Sequence, residues 1–410
     1  MSKTTISLMR IAPCLLAIII DNLGFGLVYP MMASLLTTQT SLLPNPSAQS
    51  VDFYLGLSYL LYPLFMFFGA SSLGDLSDLY GRKKIILLCM GGLAASFLCM
   101  GLGITASSLF LILLGRAMSG LFAGSQPIVQ ASIVDQSTPK TKALNMSLIG
   151  LTLSIGLIIG PIIGGVFSDS AIAKSFGFST PFYLCAVISA LCFAWIQFSF
   201  EETFRKTRAK TLDFLRPLRI FFLAFKNAKL RSISFIFLIM QVGFSLFFTI
   251  ALIYLKKAFG YANWELGMYN GWIGVGFTFG MFFVARRVAG KYPAEKIAAV
   301  SMLVTAIGQI LFFFPLSQVW VWVLAFPIAA SDMLAYTAML TSFSNIADAK
   351  SQGWVMGIAV AVMSVAWVIS GFGTNLLDLI AANQIVGIGG ALLLFSGTMM
   401  LCYARRHAEQ

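Results

Sequence analysis

The sequence predicts an all-α membrane protein: twelve transmembrane helices in two six-helix bundles, with both termini cytoplasmic. Three observations carry this fold class. Apolar runs of about 20 residues, the length that crosses a hydrocarbon core of roughly 30 Å, recur from one end of the 410 residues to the other. Hydrophobic residues make up 59% of the chain and charged residues 10%, against roughly 25% charged in soluble domains. The 27 Lys and Arg fall mostly between the apolar runs, as cytoplasmic loops require. A net charge of +12 would otherwise suggest a nucleic-acid partner. Cations set between apolar runs, rather than along an amphipathic face, exclude that class.

The spans read as 9–35, 52–73, 84–105, 108–130, 143–168, 180–200, 231–255, 266–286, 295–315, 319–341, 354–377 and 384–404. In this arrangement 23 of the 27 cations lie on the cytoplasmic side. The longest polar connection, 201–230, separates an N-terminal bundle (1–200) from a C-terminal bundle (231–410). Within it, Phe214 to Phe225 reads either as an interfacial amphipathic helix or as a solvated linker.

The first span carries Asp21-Asn22-Leu23-Gly24-Phe25-Gly26-Leu27-Val28-Tyr29-Pro30. Asp21 lies about 12 residues from the inner end, roughly 18 Å deep at 1.5 Å per residue. Arg116 of the fourth span, about 8 residues from its outer end, reaches the same depth of a core about 30 Å thick. A charge at that depth is costly and needs a partner, so Asp21 and Arg116 are expected to pair. Desolvation and the neighbouring cation act on such an acid in opposite senses, so small movements of Arg116 can load or release a proton. A purely structural pair is the plainer alternative.

Between the second and third spans, Gly74-Asp75-Leu76-Ser77-Asp78-Leu79-Tyr80-Gly81-Arg82-Lys83-Lys84 reads as a short charged loop. Gly74 would permit close helix approach and Gly81 a tight turn. Asp78 would face a helix N-terminus, and Arg82 would bridge it to Asp135 at the inner end of the fourth span. The plainer alternative is a topology anchor. The fourth span reads Arg116-x-x-x-Gly120-x-x-x-Gly124, and the fifth holds Gly156, Gly160, Pro161, Gly164 and Gly165. Glycines at i, i+4 and i+8 form a groove in which a partner backbone can lie, and Pro161 bends the helix.

In the second half, Asp332 sits about 13 residues from the outer end of the tenth span, with Tyr336 one turn on. An intramembrane acid suggests a functional site by default: a proton site or a contact for a cationic substrate group, against a structural hydrogen-bonding acid. Gln241, Asn270, Trp272, Gln309, Trp354 and Trp367 are candidate cavity linings, since aromatics and amides suit an amphipathic substrate. The loop 285–296 repeats the position and charge of the Gly74 segment through Arg286, Arg287 and Lys291, without its glycine-aspartate pattern. Cys14, Cys89, Cys99, Cys185, Cys192 and Cys402 have no short metal or redox spacing and read as small core hydrophobes. The sole histidine, His407, lies in the tail, so no metal site is expected. No phosphate loop is present, so neither ATP nor another cofactor is expected. The first apolar run is too long for a cleavable signal.

Gly74, Leu76, Asp78, Gly81, Arg82 and Lys83 fit, at fixed spacing, the signature loop of major facilitator superfamily transporters, departing at Leu79, where that family usually has a cation. The Arg116 pattern resembles that superfamily's fourth-helix motif, in which arginine takes part in proton transfer. The first span resembles that of twelve-helix drug:proton antiporters, tetracycline exporters among them. The Gly156–Gly165 run fits the superfamily's antiporter motif, which is associated with export. The resemblance implies proton coupling at Asp21 and Arg116 and a latch of Gly74, Asp78, Gly81, Arg82 and Asp135. It also implies a midplane cavity to which Asp332, Tyr336, Gln241, Asn270 and Trp272 contribute. The implied function is proton-driven export of a small amphipathic molecule by alternating access, in a bacterial cytoplasmic membrane and not as an enzyme. The partners are then substrate, protons and the bilayer, and the protein is a monomer. An importer of a nutrient or siderophore is the nearest rival, and the Gly160-Pro161 motif argues against it. A non-transporting receptor or scramblase-like protein would leave Asp21 and Arg116 unexplained.

Overall fold

A computed structural model describes residues 3–38, 41–43, 47–136, 142–202, 215–347 and 352–408, with the side chains of 3–10, 134–135, 142–144, 146–147, 352–353 and 407–408 outside that description. The described chain is helical apart from turns and one isolated bridge between Ala289 and Tyr292. Twelve helices are long and apolar enough to cross a membrane: Ile11–Thr38, Ala48–Tyr80, Arg82–Thr105, Leu109–Ile133, Leu148–Phe167 and Thr180–Ser199, then Arg231–Phe259, Asn263–Val288, Ala294–Phe313, Gln318–Ile346, Trp354–Asp378 and Ala382–Arg406. They are the first to twelfth spans below.

Each expected span is present, and the ends differ. The second span does not stop at 73 but continues as helix to Tyr80, and the next helix starts at Arg82. The expected loop from Gly74 to Lys84 is therefore two helix ends joined at Gly81. Charge alone does not stop a helix. Gly81 does, because its φ of 103° is a conformation that residues with a Cβ rarely adopt.

Several spans are interrupted where backbones crowd. The first breaks between Gly26 and Tyr29, with Pro30 at the second position of the resumed helix, where its missing N–H costs nothing. The fourth narrows to a 3-10 turn at Ala123–Ser125 before Gln126–Asp135. The eighth carries a π-helical turn at Gly280–Val284.

Two compact units are distinguishable. One comprises Met1–Pro46 and Leu61–Leu215, the other Ser47–Leu60 and Arg216–Gln410. In the first unit the fifth span lies along the first, and the third packs against the fourth and sixth. In the second unit the twelfth span packs against the seventh and ninth, the tenth against the eighth and ninth, and the eleventh against the seventh. The start of the second span belongs to this unit. Asp52 pairs with Lys257 at 3.8 Å, and the Thr374 hydroxyl donates to the Asp52 carbonyl at 2.9 Å. A Cβ added at Gly371 would lie 3.1 Å from Leu60 Cα. One helix thus supplies residues to both units, and the change falls beside Pro63. The polar connection resolves into a helix at Arg216–Lys226, packed against the eleventh and seventh spans.

Candidate functional site

The fourth span lies against the backbone of the second because glycines leave it room. An added Cβ at Gly124 would come within 2.6 Å of Ala70 N, and Gly120 and Gly69 make still closer approaches to the carbonyls of Tyr62 and Leu121. This contact sets Arg116 and Tyr62 side by side. The Arg116 guanidinium carbon sits 4.9 Å from the Tyr62 ring centroid, and its Nη1 donates to the Gly24 carbonyl at 3.1 Å. Arg116 is 0% exposed, so the carbonyl and the ring face replace some of the solvation it has lost.

Asp21, also buried, stands three residues before Gly24. The Ser125 hydroxyl, presented by the 3-10 turn, donates a short hydrogen bond to Asp21 Oδ2. The Tyr62 hydroxyl donates to the Asp21 backbone carbonyl at 3.3 Å, and Asp21 Oδ1 is buried with no hydrogen-bond partner. The expected direct pairing of Asp21 with Arg116 is therefore replaced by a cluster. The two residues share Tyr62 and one helical turn, while the carboxylate binds Ser125 and the guanidinium binds Gly24. Sequence reading missed Ser125 and Tyr62. A hydroxyl 104 residues from its acid leaves no spacing to read.

The glycine run of the fifth span packs along the same first span. An added Cβ would lie 2.6 Å from Asn22 Cβ at Gly156 and 3.1 Å from Leu23 Cα at Gly160, and closer still to the Leu27 carbonyl at Gly164. In return a Cβ at Gly26 would meet Pro161 Cδ at 2.8 Å. Gly165 is also buried. The expected groove is present, and its occupant is the helix that carries Asp21.

At Gly81 the structure adds a residue the sequence did not suggest. The Glu202 carboxylate, just past the sixth span, accepts from the backbone N–H of Arg82 at 2.9 Å and of Lys83 at 3.1 Å. It satisfies two of the orphan donors at the start of the third span and complements the helix dipole. Lys83 Nζ donates to the Gln197 carbonyl at 2.8 Å. Gly74 does not play its expected part, because an added Cβ there would meet nothing within 4 Å. Asp78 and Arg82 flank this junction, while the side chain of Asp135 lies outside the described residues.

In the second unit Asp332 is buried with Oδ1 unpartnered, and Tyr336 one turn on has its ring 6.1 Å from Phe237. Gln241 and Asn270 are buried, and both amide atoms of Asn270 lack a hydrogen-bond partner, as do those of Gln309. No hydrogen bond among the described residues joins Asp332, Gln241 and Asn270. Trp272 parts company with Asn270. It belongs with Trp264, Met268, Val275, Phe279 and Phe283 to an exposed stripe at helical spacing along the eighth span. Its indole donates to the Trp322 carbonyl at 3.1 Å. Among the described residues no cluster of His, Cys, Asp and Glu could hold a metal, and all six cysteines are free.

A family model described as Major Facilitator Superfamily matches residues 7–371. The chain belongs to the major facilitator superfamily. It is a multi-pass membrane transporter and not an enzyme. Among curated proteins it is similar to the class H tetracycline resistance protein of Pasteurella multocida, 25% identical and matching 87% of this chain and 85% of that protein. It is also similar to the class B tetracycline resistance protein of Escherichia coli, at 25% identity over 86% and 84%. Among solved structures it resembles the human organic anion transporter MFSD10, with a TM-score of 0.73 at 17% identity over 96% and 99% of the two chains. A D-xylose-proton symporter is similar at TM-score 0.72, with 13% identity over 96% of each chain. These two structures share the fold of this chain.

Proposed function

We propose that the chain is a proton-driven antiporter that exports a small amphipathic molecule from the cytoplasm by alternating access. The placement of Asp21 carries this reading. It is a buried acid with one oxygen held by Ser125 and the other without a partner, on the helix that fills the fifth-span groove. A proton taken up by Asp21 discharges the carboxylate, and the Ser125 hydroxyl can then accept where it had donated. Arg116, held by Gly24 and Tyr62, then faces a neutral group, so a bound substrate feels a field changed by one charge.

In this reading both termini and the cation-rich segments face the cytoplasm of a bacterial cell, and the protein works as a monomer. Bundles 1–200 and 231–410 are joined by 201–230. Asp78, Gly81, Arg82 and Asp135 latch the cycle, without Gly74, whose expected close approach is absent. Asp332, Tyr336, Gln241 and Asn270 contribute to substrate binding, while Trp272 faces lipid. The names of the tetracycline-resistance relatives support export.

Asp21→Asn keeps the shape and removes the titrating group. In proteoliposomes its substrate movement under an imposed pH gradient is expected to fall at least tenfold, with the melting temperature kept. Gradient-driven transport at the wild-type level would show that coupling lies elsewhere. Net movement of substrate together with protons, rather than against them, would make the protein an importer.

A further inference from the structure

The helix Arg216–Lys226 carries apolar residues on two faces, of which one packs into the core and the other is exposed among the described residues. Pro217 and Ala224 are buried, with Ile220, Phe221 and Phe225 beside them against a core drawn from the seventh and the ninth to twelfth spans. Leu215, Leu218 and Phe222, at positions i, i+3 and i+7, form a second ridge that faces outward, with Leu215 63% and Phe222 67% exposed. A lone exposed leucine needs no explanation, but an aromatic-centred ridge on a helix whose other side is already packed does. From Leu215 to Arg231 the chain holds Arg216, Arg219, Lys226, Lys229 and Arg231 and no acid. Four residues separate the end of the helix at Lys226 from the start of the seventh span at Arg231, which keeps it close to the membrane boundary.

We propose that this helix is a docking surface for anionic phospholipid. Leu215, Leu218 and Phe222 sink among the upper acyl chains of the leaflet on the cation-rich side, and the exposed Lys226, Lys229 and Arg231 engage the headgroup phosphates. Three features point to lipid as the occupant: an exposed apolar ridge, a run of cations from 216 to 231 with no acid within that stretch of sequence, and continuity with a membrane span. The bilayer then holds the start of the seventh span through its headgroups as well as its core.

The test uses the full-length protein in nanodiscs that hold one copy each, which removes a second copy as occupant. Cys402→Ser and Cys99→Ser remove the two cysteines that are not buried, and Phe222→Cys then takes an environment-sensitive fluorophore. The expected result is quenching by a nitroxide attached high on a lipid acyl chain, several-fold stronger than quenching by aqueous iodide. A second measurement uses the unlabelled chain, whose melting temperature should be higher by several degrees in anionic than in zwitterionic nanodiscs. That difference should shrink by at least half in Lys226→Gln/Lys229→Gln. Iodide quenching without nitroxide quenching would overturn the proposal in favour of a solvated linker or a cover from the chain itself. A lipid-dependent shift that survives intact in the double variant would equally overturn the headgroup assignment.

Discussion

Gly81 meets two independent demands, and its variants can separate packing from backbone. Its φ of 103° is strained for any other residue, and an added Cβ would press on the Glu202 carboxylate at 2.5 Å. Gly81→Ala is therefore expected to cost about 1–3 kcal/mol, read as a melting temperature several degrees lower for the purified protein. Gly74→Ala should leave melting unchanged or slightly raised, because it adds a methyl group to open space inside a helix. Equal losses at both positions would show that the signature glycines act through something other than the junction. Gly81 was legible because a glycine between charged helix ends has one strong reading. Glu202 was not, since its partners lie 120 and 119 residues away, and an acid near a span's end looks the same whether or not it caps another helix.

The contact between the first and fifth spans is uneven: it is loosest at Gly160 and tightest at Gly164. An added Cβ at Gly160 would crowd Leu23 Cα at 3.1 Å, while at Gly164 it would run into the Leu27 carbonyl, which cannot move aside as a side chain can. Overpacking of this kind typically costs ~1–3 kcal/mol, so Gly164→Ala should fall at the upper end and Gly160→Ala at the lower. Paired melting curves and gradient-driven transport of the two variants will check the order. A reversed order would mean that the groove relaxes at the Gly26–Tyr29 break. At this scale the sequence was most informative, because twelve apolar lengths and a glycine run at helical spacing are set by the bilayer and by backbone geometry. The interruptions within spans were not legible. The 3-10 turn at Ala123–Ser125 and the π turn at Gly280–Val284 arise where one backbone crowds another, and nothing local announces the neighbour. The same limit turned the expected Asp21–Arg116 pair into a cluster: matching depths were readable, lateral positions were not.

Across the molecule, the second span draws partners from regions far apart in sequence. Asp52 is only 6% exposed while Lys257 is 57% exposed, so water screens much of their attraction and a coupling of about 0.5–1 kcal/mol is expected. Lys257→Gln should destabilise more than the Asp52→Asn/Lys257→Gln pair, because the single change leaves a buried acid without its cation. A double-mutant cycle on melting midpoints measures this, and zero coupling would reduce the contact to coincidence. No spacing or composition pointed to these residues.

The hydrogen bond from Thr374 to Asp52 joins residues 322 apart, and this gives the making of the protein an order in time. A ribosome delivers the second helix to the membrane long before the seventh and eleventh exist. Until Lys257 and then Thr374 emerge, Ala48 to Leu60 lacks these two contacts of the finished molecule. Completion of the second helix is thus an event of late translation, and a chain released early is unfinished near its beginning as well as at its end.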